Sequence, residues 1–211
     1  MQRLLVCGSV FFACLAVVSG GSVLAAVSAS APAKSVASAP IASPTTLSGS
    51  AGEWSYRCIF PSSAPNTAPT VCIVEQRLMM QDAQKQAVPL GGVILARATE
   101  DPVKAPLSTR PWRLTVMTPL GLSLQHEARF AIGKSAPFSL AWQSCVSSGC
   151  LSTLDLTAEQ VDALRHGQAG HIEANKLAGG ILTINFALTG VDVALKTTEG
   201  WIAHSQAGVV Q

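Results

Sequence analysis

The chain is poor in charge and has no strong excess of either sign. Only 14 Lys and Arg face 12 Asp and Glu among 211 residues, so no broad field exists to recruit a polyanion, and nucleic acid is not an expected partner. Signatures of chemistry are missing as well. His126, His166, His171 and His204 have no His-x-x-x-His spacing that would place two imidazoles on one helical face. The string Gly121-Leu122-Ser123-Leu124-Gln125 approaches a nucleophile elbow but lacks its second glycine and the helix that should follow. Asp155, Glu159 and Asp162 come nearest to paired carboxylates, yet Glu159 and Asp162 fall on a short exposed helix where solvation accounts for them. The reading is therefore no catalytic residue, no metal ligand, no cofactor and no enzyme.

What the chain does have begins at its amino end. Arg3 precedes an uncharged apolar run over residues 4–27, the layout of an export signal, with small residues at Ala25, Ala26, Ala29 and Ala33 suited to cleavage within 25–33. An uncleaved anchor is the alternative, because the run approaches the roughly 20 apolar residues that span a bilayer. Residues 1–28 are accordingly expected as a signal peptide, with no stable membrane span after cleavage and a periplasmic or envelope location. Residues 29–51 are rich in Ala, Ser and Pro and have Lys34 as their one charge, the composition of a flexible linker. The folded domain is expected over 52–204, followed by a tail over 205–211.

Removing the signal discards Cys7 and Cys14 and leaves four cysteines, an even number for an oxidising compartment. Four cysteines permit three pairings, and spacing favours Cys58 with Cys72 and Cys145 with Cys150. Zinc fits poorly, since structural sites use paired ligands two to four residues apart. Thiol exchange at Cys145 and Cys150 is the other alternative, although four residues separate them where redox motifs have two.

From Trp54 onward the pattern alternates, with Trp54, Tyr56 and Cys58 between polar Ser55 and Arg57. A loop containing Pro61, Pro65 and Pro69 leads to a second β-prone run at 71–80. Further strands are expected at 92–98, 111–118, 120–124, 128–132, 138–146, 169–177 and 181–188, most of them separated by turn residues. Thr157 and Gln160 form a capping-box pattern ahead of Val161 and Leu164, and Gly167 closes the segment, so one short helix is expected over about 157–167. Many short strands with one helix define an all-β fold, an antiparallel β-sandwich or barrel-like domain. Among the tryptophans, Trp54 and Trp142 stand beside the cysteines and read as core, whereas Trp112 and Trp201 are the candidates for a partner surface or the mouth of a cleft.

Taken in order, Trp54-Ser-Tyr-Arg-Cys58, Cys72-Ile-Val-Glu-Gln76, Pro119-Leu-Gly-Leu-Ser-Leu124, Cys145-Val-Ser-Ser-Gly-Cys150 and Leu188-Thr-Gly-Val191 resemble the invasion-associated locus B family over residues 54–195. That resemblance implies a β-rich bacterial protein of the periplasm or envelope, without known enzymatic chemistry, and linked in some pathogens to host-cell invasion. It carries over no active site. The resulting expectation is a non-catalytic protein that presents a disulfide-stapled β surface to an envelope or host protein. A small-ligand or chaperone-like binding module is the alternative.

Overall fold

In β3 (Val71–Gln81) every second side chain from Cys72 to Leu78 is buried, as a strand with one face on a core requires. The structure is a computed structural model and describes residues 44–61, 67–98 and 106–207, all within the unit 40–211. The expected signal at 1–28, the expected linker up to residue 43, Pro65 and residues 208–211 of the expected tail lie outside the described residues.

Seven antiparallel strands form the first sheet in the order β1 (Thr45–Ala51), β2 (Trp54–Phe60), β3, β4 (Ala87–Ala98), β5 (Arg113–Thr118), β9 (Gly149–Asp155) and β8 (Trp142–Val146). The second has four, in the order β11 (Ile181–Ala187), β10 (Ala169–Asn175), β6 (Ala128–Ile132) and β7 (Phe138–Leu140). One core joins them: Val74, Val93, Leu95, Leu114 and Val116 of the first sheet cluster with Phe130, Ile172, Ile184 and Phe186 of the second. Phe130 lies 5.1 Å from Phe138 and 5.0 Å from Phe186 between ring centroids. Trp54 is buried in the same core, and its indole N–H donates to the Ala187 carbonyl at 3.0 Å, tying β2 to the end of β11. The architecture is an open, sandwich-like pair of mostly antiparallel sheets, as the alternation predicts.

Four details correct the sequence reading. The last seven residues of the expected linker form β1, which pairs with β2 from Thr45↔Phe60 to Ala51↔Trp54. The expected strand at 138–146 is two strands: β7 belongs to the second sheet and β8 to the first, and the chain changes sheets at Ala141. Residues 120–124 make only a single bridge, Leu122↔Lys176, because Gly121 turns the chain with φ +88° just after Pro119. Two helices occur rather than one. The expected helix is α1 (Ala158–His166), with its capping box formed in both directions between Thr157 and Gln160. The second is α2 (Val191–Ala207), which takes up the first residues of the expected tail and buries Val191, Ala194, Leu195, Thr198 and Ile202 at helical spacing.

Cys58 is bonded to Cys72 and Cys145 to Cys150, each couple directly opposed across antiparallel neighbours. The first bond packs with Leu107 and Ile202, so α2 rests its carboxyl end on it. The second closes the β8–β9 hairpin. Replacing Cys145 and Cys150 together by alanine removes that closure and is expected to lower stability by about 2 kcal/mol on the chain-entropy scale. Chemical denaturation checks this through a lower midpoint, and an unshifted midpoint means the hairpin needs no staple.

Candidate functional site

The strand register separates the domain into two chemically different ends. β4 finishes and β5 starts at one of them, where α1, α2 and the 3₁₀ turn Leu107–Thr109 also meet. Here Glu199 of α2 collects three donors. Arg165, in the last turn of α1, donates from Nη2 to both Glu199 oxygens at 2.8 and 2.7 Å. The Trp112 indole donates to Glu199 Oε1 at 3.0 Å, and Arg97 Nη2 lies 3.5 Å from the same oxygen. Arg165 also donates to Asp192 Oδ1 at 3.1 Å, and Asp192 takes Lys196 Nζ at 2.7 Å on its other oxygen. The Arg97 guanidinium stacks 4.8 Å from the Trp112 ring centroid and donates to the Ser108 carbonyl at 3.1 Å. Its Nε–H is buried and has no acceptor among the described residues.

Both arginines are largely shielded, with side chains 15% and 16% exposed for Arg97 and Arg165. Burial lowers the Arg97 pKa, Glu199 pulls it back and Arg165 lowers it further, leaving it below the ordinary guanidinium value. Arg165 goes the other way: burial acts against its charge, but the hydrogen bonds and charges of Glu199 and Asp192 prevail and raise its pKa. Asp192 is held below the usual carboxylate range, first by its hydrogen bond from Lys196, against a smaller desolvation effect, and then by Arg165. In this network three cations, Arg97, Arg165 and Lys196, meet two carboxylates, Asp192 and Glu199. Beside it opens a cavity of about 440 Å³ lined by Arg97, Arg110, Trp112, Leu156, Val161 and Arg165 among others.

The other end gathers most of the exposed large apolar side chains among the described residues. β3, β5, β8 and β10 finish there, since Met117 pairs with Gly92, Thr118 with Cys150 and Val146 with Gly149. The segment after β5 is bonded to the β10–β11 turn by Ser123 N–H to Asn175 O and Leu177 N–H to Gly121 O, both 2.8 Å. Met79, Met80, Leu120, Leu124, Val146, Leu177 and Ile181 are all exposed at this end, Leu177 by 77%. Only Leu47 and Val193 complete the set of exposed large apolar side chains among the described residues.

Of the two tryptophans expected at a partner surface, Trp112 is enclosed and Trp201 is not. Trp112 is 1% exposed, because its indole N–H is committed to Glu199 and its ring to Arg97, so it supports the charged end from inside. Trp201 is half-buried, 5.6 Å from Tyr56 between ring centroids, and caps the cluster around the first disulfide. Trp142 is half-buried at the edge and donates to the His126 carbonyl at 2.8 Å. Asp155 is engaged by Arg113 at 2.7 Å, and that hydrogen bond, against a weaker desolvation, lowers its pKa. His166 lies 3.2 Å from Asp162 one helical turn away, and His171 lies 3.9 Å from Glu173. Among the described residues no three His, Cys, Asp or Glu side chains gather as a metal site, and no helix is long and apolar enough to cross a membrane. Arg97, Arg165 and Glu199 escaped the sequence reading, and no local signal marked them, since 34 positions separate Arg165 from Glu199 and 87 separate Trp112 from it. Leu120 and Leu177 did carry one, as leucines within turn-forming Pro and Gly sequence.

An open antiparallel sandwich with two cross-strand disulfides, two packed helices and no catalytic constellation among the described residues defines a stapled β-module. Residues 54–199 match the family model described as Invasion associated locus B (IalB) protein, and the chain belongs to that family. Among solved structures it is similar to the crystal structure of invasion associated protein b from Bartonella henselae, at TM-score 0.55 and 18% identity, covering 74% of this chain and 96% of that one. At that identity the likeness speaks for the fold. No curated protein is similar enough to match.

Proposed function

We propose that this chain is a non-catalytic, exported module of the bacterial envelope that docks a partner protein through its apolar end. One observation carries the reading: seven of the nine exposed large apolar side chains among the described residues lie at that end. Scattered single leucines are ordinary on protein surfaces, whereas their concentration at one end is characteristic of interaction sites. The loops that bear them are anchored rather than loose. The second disulfide, the Leu122↔Lys176 bridge and the hydrogen bonds of Ser123 and Leu177 brace three of the contributing segments, which lowers the ordering cost of binding. Two disulfides suit an oxidising compartment.

The test places a photoreactive residue at Leu177, at Leu120 and, as control, at Val193 on α2, in the exported protein within intact cells. The expected result is one common adduct from the first two positions that Ile181→Asp abolishes without moving the thermal midpoint. Capture of nothing at Leu177 and Leu120, or of the same species at Val193, overturns the reading.

A further inference from the structure

β1 closes one side of the seven-stranded sheet, and its outer side has no neighbouring strand among the described residues. The turn between β1 and β2 has two residues, Gly52 and Glu53, so its closing pair Ala51↔Trp54 exchanges both backbone bonds. Alternation then sets the rest: Gly49, Leu47 and Thr45 direct their backbone groups to β2, while Thr46, Ser48 and Ser50 direct theirs outward. No described residue bonds to those outward N–H and C=O groups. Sheet edges are ordinarily protected by charge, proline, a bulge or short length. β1 has none of these, for Thr45–Ala51 is seven residues without charge or proline, in unbroken register with β2. The other edges differ. β7 has three residues, β8 shifts register between Trp142 and Ser144, and β11 commits its Ala187 carbonyl to Trp54.

We propose that β1 pairs antiparallel with β1 of a second copy of this chain, about a twofold axis at Ser48, joining two seven-stranded sheets into one. The edge itself selects that occupant and that register. Outward backbone groups must meet outward ones, and centring on Ser48 opposes Ser48 to Ser48 and Thr46 to Ser50, which uses the full length of both strands. Pro44, without an N–H, and the turn at Gly52 end the ladder on either side. The side chains facing each other on the outer surface are then hydroxyls, with no charge opposed to its like. On the inner surface Leu47 comes opposite Gly49 of the second copy. The Tyr56 ring covers Gly49 so closely that a Cβ there would lie 2.7 Å from it, which gives Leu47 an aromatic ring to pack on, reciprocally in both copies. Leu47 is 41% exposed and, among the described residues, only it and Val193 are exposed large apolar side chains outside the apolar end, so the pairing also accounts for its exposure. None of the seven side chains of the apolar end is on β1. Antiparallel pairing reverses the strand axis, and the two apolar ends of the dimer therefore point in opposite directions.

Sedimentation equilibrium of the exported protein is expected to show monomers and dimers with a dissociation constant of about 100 μM or tighter, in keeping with a small interface. Ser48 is exposed, and Ser48→Lys and Ser48→Asp each place like charges on the axis. Each is expected to raise that constant at least about tenfold, and an equimolar mixture of the two is expected to restore dimers. Cysteine reads the register. Ser48→Cys under mild oxidation with diamide is expected to link two copies, since the Cα atoms of a bonded pair lie about 5.5 Å apart, within disulfide reach. Ser50→Cys is the control and is expected to stay unlinked, because it lies about 14 Å along the strands from its own counterpart. A protein that remains monomeric at about 1 mM, dimers that survive both charge variants, a mixture that restores none, or linking of Ser50→Cys as readily as Ser48→Cys overturns the proposal.

Discussion

Replacing Glu199 by alanine is expected to destabilise the domain by about 3 kcal/mol, the lower part of the range for breaking a buried ion pair. The carboxylate is the shared acceptor for Arg165 Nη2, Trp112 Nε1 and, at longer range, Arg97 Nη2. Its removal leaves two guanidinium groups facing each other in a shielded space with only Asp192 to compensate Arg165. Solvent reaches 29% of the Glu199 side chain, so the low end of the range applies. Glu199→Gln keeps an acceptor for the Trp112 indole and loses the charge, and an intermediate cost of about 1–2 kcal/mol follows. The double variant Arg165→Met with Glu199→Leu removes both charges together and should lose less than the two single losses added, a coupling of at least about 1 kcal/mol. Denaturant titration of these variants, the two single members of the double variant and the unchanged protein reads all of this. A loss below about 1 kcal/mol for Glu199→Ala would show that water already screens the network.

The position of that network explains why so much depends on it. Arg97 is on β4, Trp112 immediately precedes β5, Arg165 is on α1 and Glu199 is on α2. The Leu156 N–H to Trp112 O bond, 2.8 Å, links the approach to α1 to the same residue that Glu199 holds. One carboxylate therefore fixes both helices against the first sheet, and the cavity beside it keeps its form only while they stay there.

Strand existence was legible wherever one face of a strand is buried and the other is wet. β2, β3, β10 and β11 all announce themselves by alternation. β1 does not, because Thr45-Thr-Leu-Ser-Gly-Ser-Ala51 is an exposed edge strand held by backbone pairing to β2. β9 was hidden for another reason: it is an interior strand that buries the polar Ser152, whose hydroxyl has no partner among the described residues. α2 combines four β-branched residues among its first eight with Gly200 in its interior, so its local helix propensity is poor. Its stripe of Val191, Ala194, Leu195, Thr198 and Ile202 was readable, but tertiary burial rather than propensity decides that it is a helix.

The two ends were legible to different degrees for the same physical reason. Leu120 and Leu177 fall inside the expected strands 120–124 and 169–177, and the local turn chemistry of Gly121, Gly179 and Gly180 that leaves them exposed is the signal that reading passed over. The charged end is assembled from side chains far apart in sequence, and which cation meets which carboxylate depends on how α1 and α2 pack. Trp112 shows the difficulty. From sequence it falls inside the expected strand at 111–118 and is a candidate for a surface or cleft mouth, but an indole whose N–H finds a partly buried carboxylate can be enclosed.

Gly190→Ala is expected to be as damaging as any single change in the core. Gly190 has φ +96°, and a Cβ there would overlap the carbonyl of Ala51. The contact is reciprocal, for Gly52 at φ +55° approaches the carbonyl of Thr189 in the same way. The β1–β2 turn and the turn that starts α2 thus interlock backbone against backbone, and neither can yield as a flexible side chain would. A left-handed backbone costs a side-chain-bearing residue roughly 1–2 kcal/mol, and overpacking against an immovable neighbour adds roughly 1–3 kcal/mol. The expected loss is about 3–4 kcal/mol on those two effects together, with hydrogen exchange accelerating first in α2, whose Ala194 N–H bonds to the Gly190 carbonyl at 3.0 Å. Gly200 supplies the opposite sign within the same helix. A Cβ at Gly200 meets nothing within 4 Å, so Gly200→Ala is expected to stabilise the domain by up to about 1 kcal/mol through helix propensity alone. Thermal denaturation of the two variants side by side should move the midpoint in opposite directions. If Gly190→Ala leaves the midpoint in place or raises it, the seam between the β1–β2 turn and α2 is not set by Gly190.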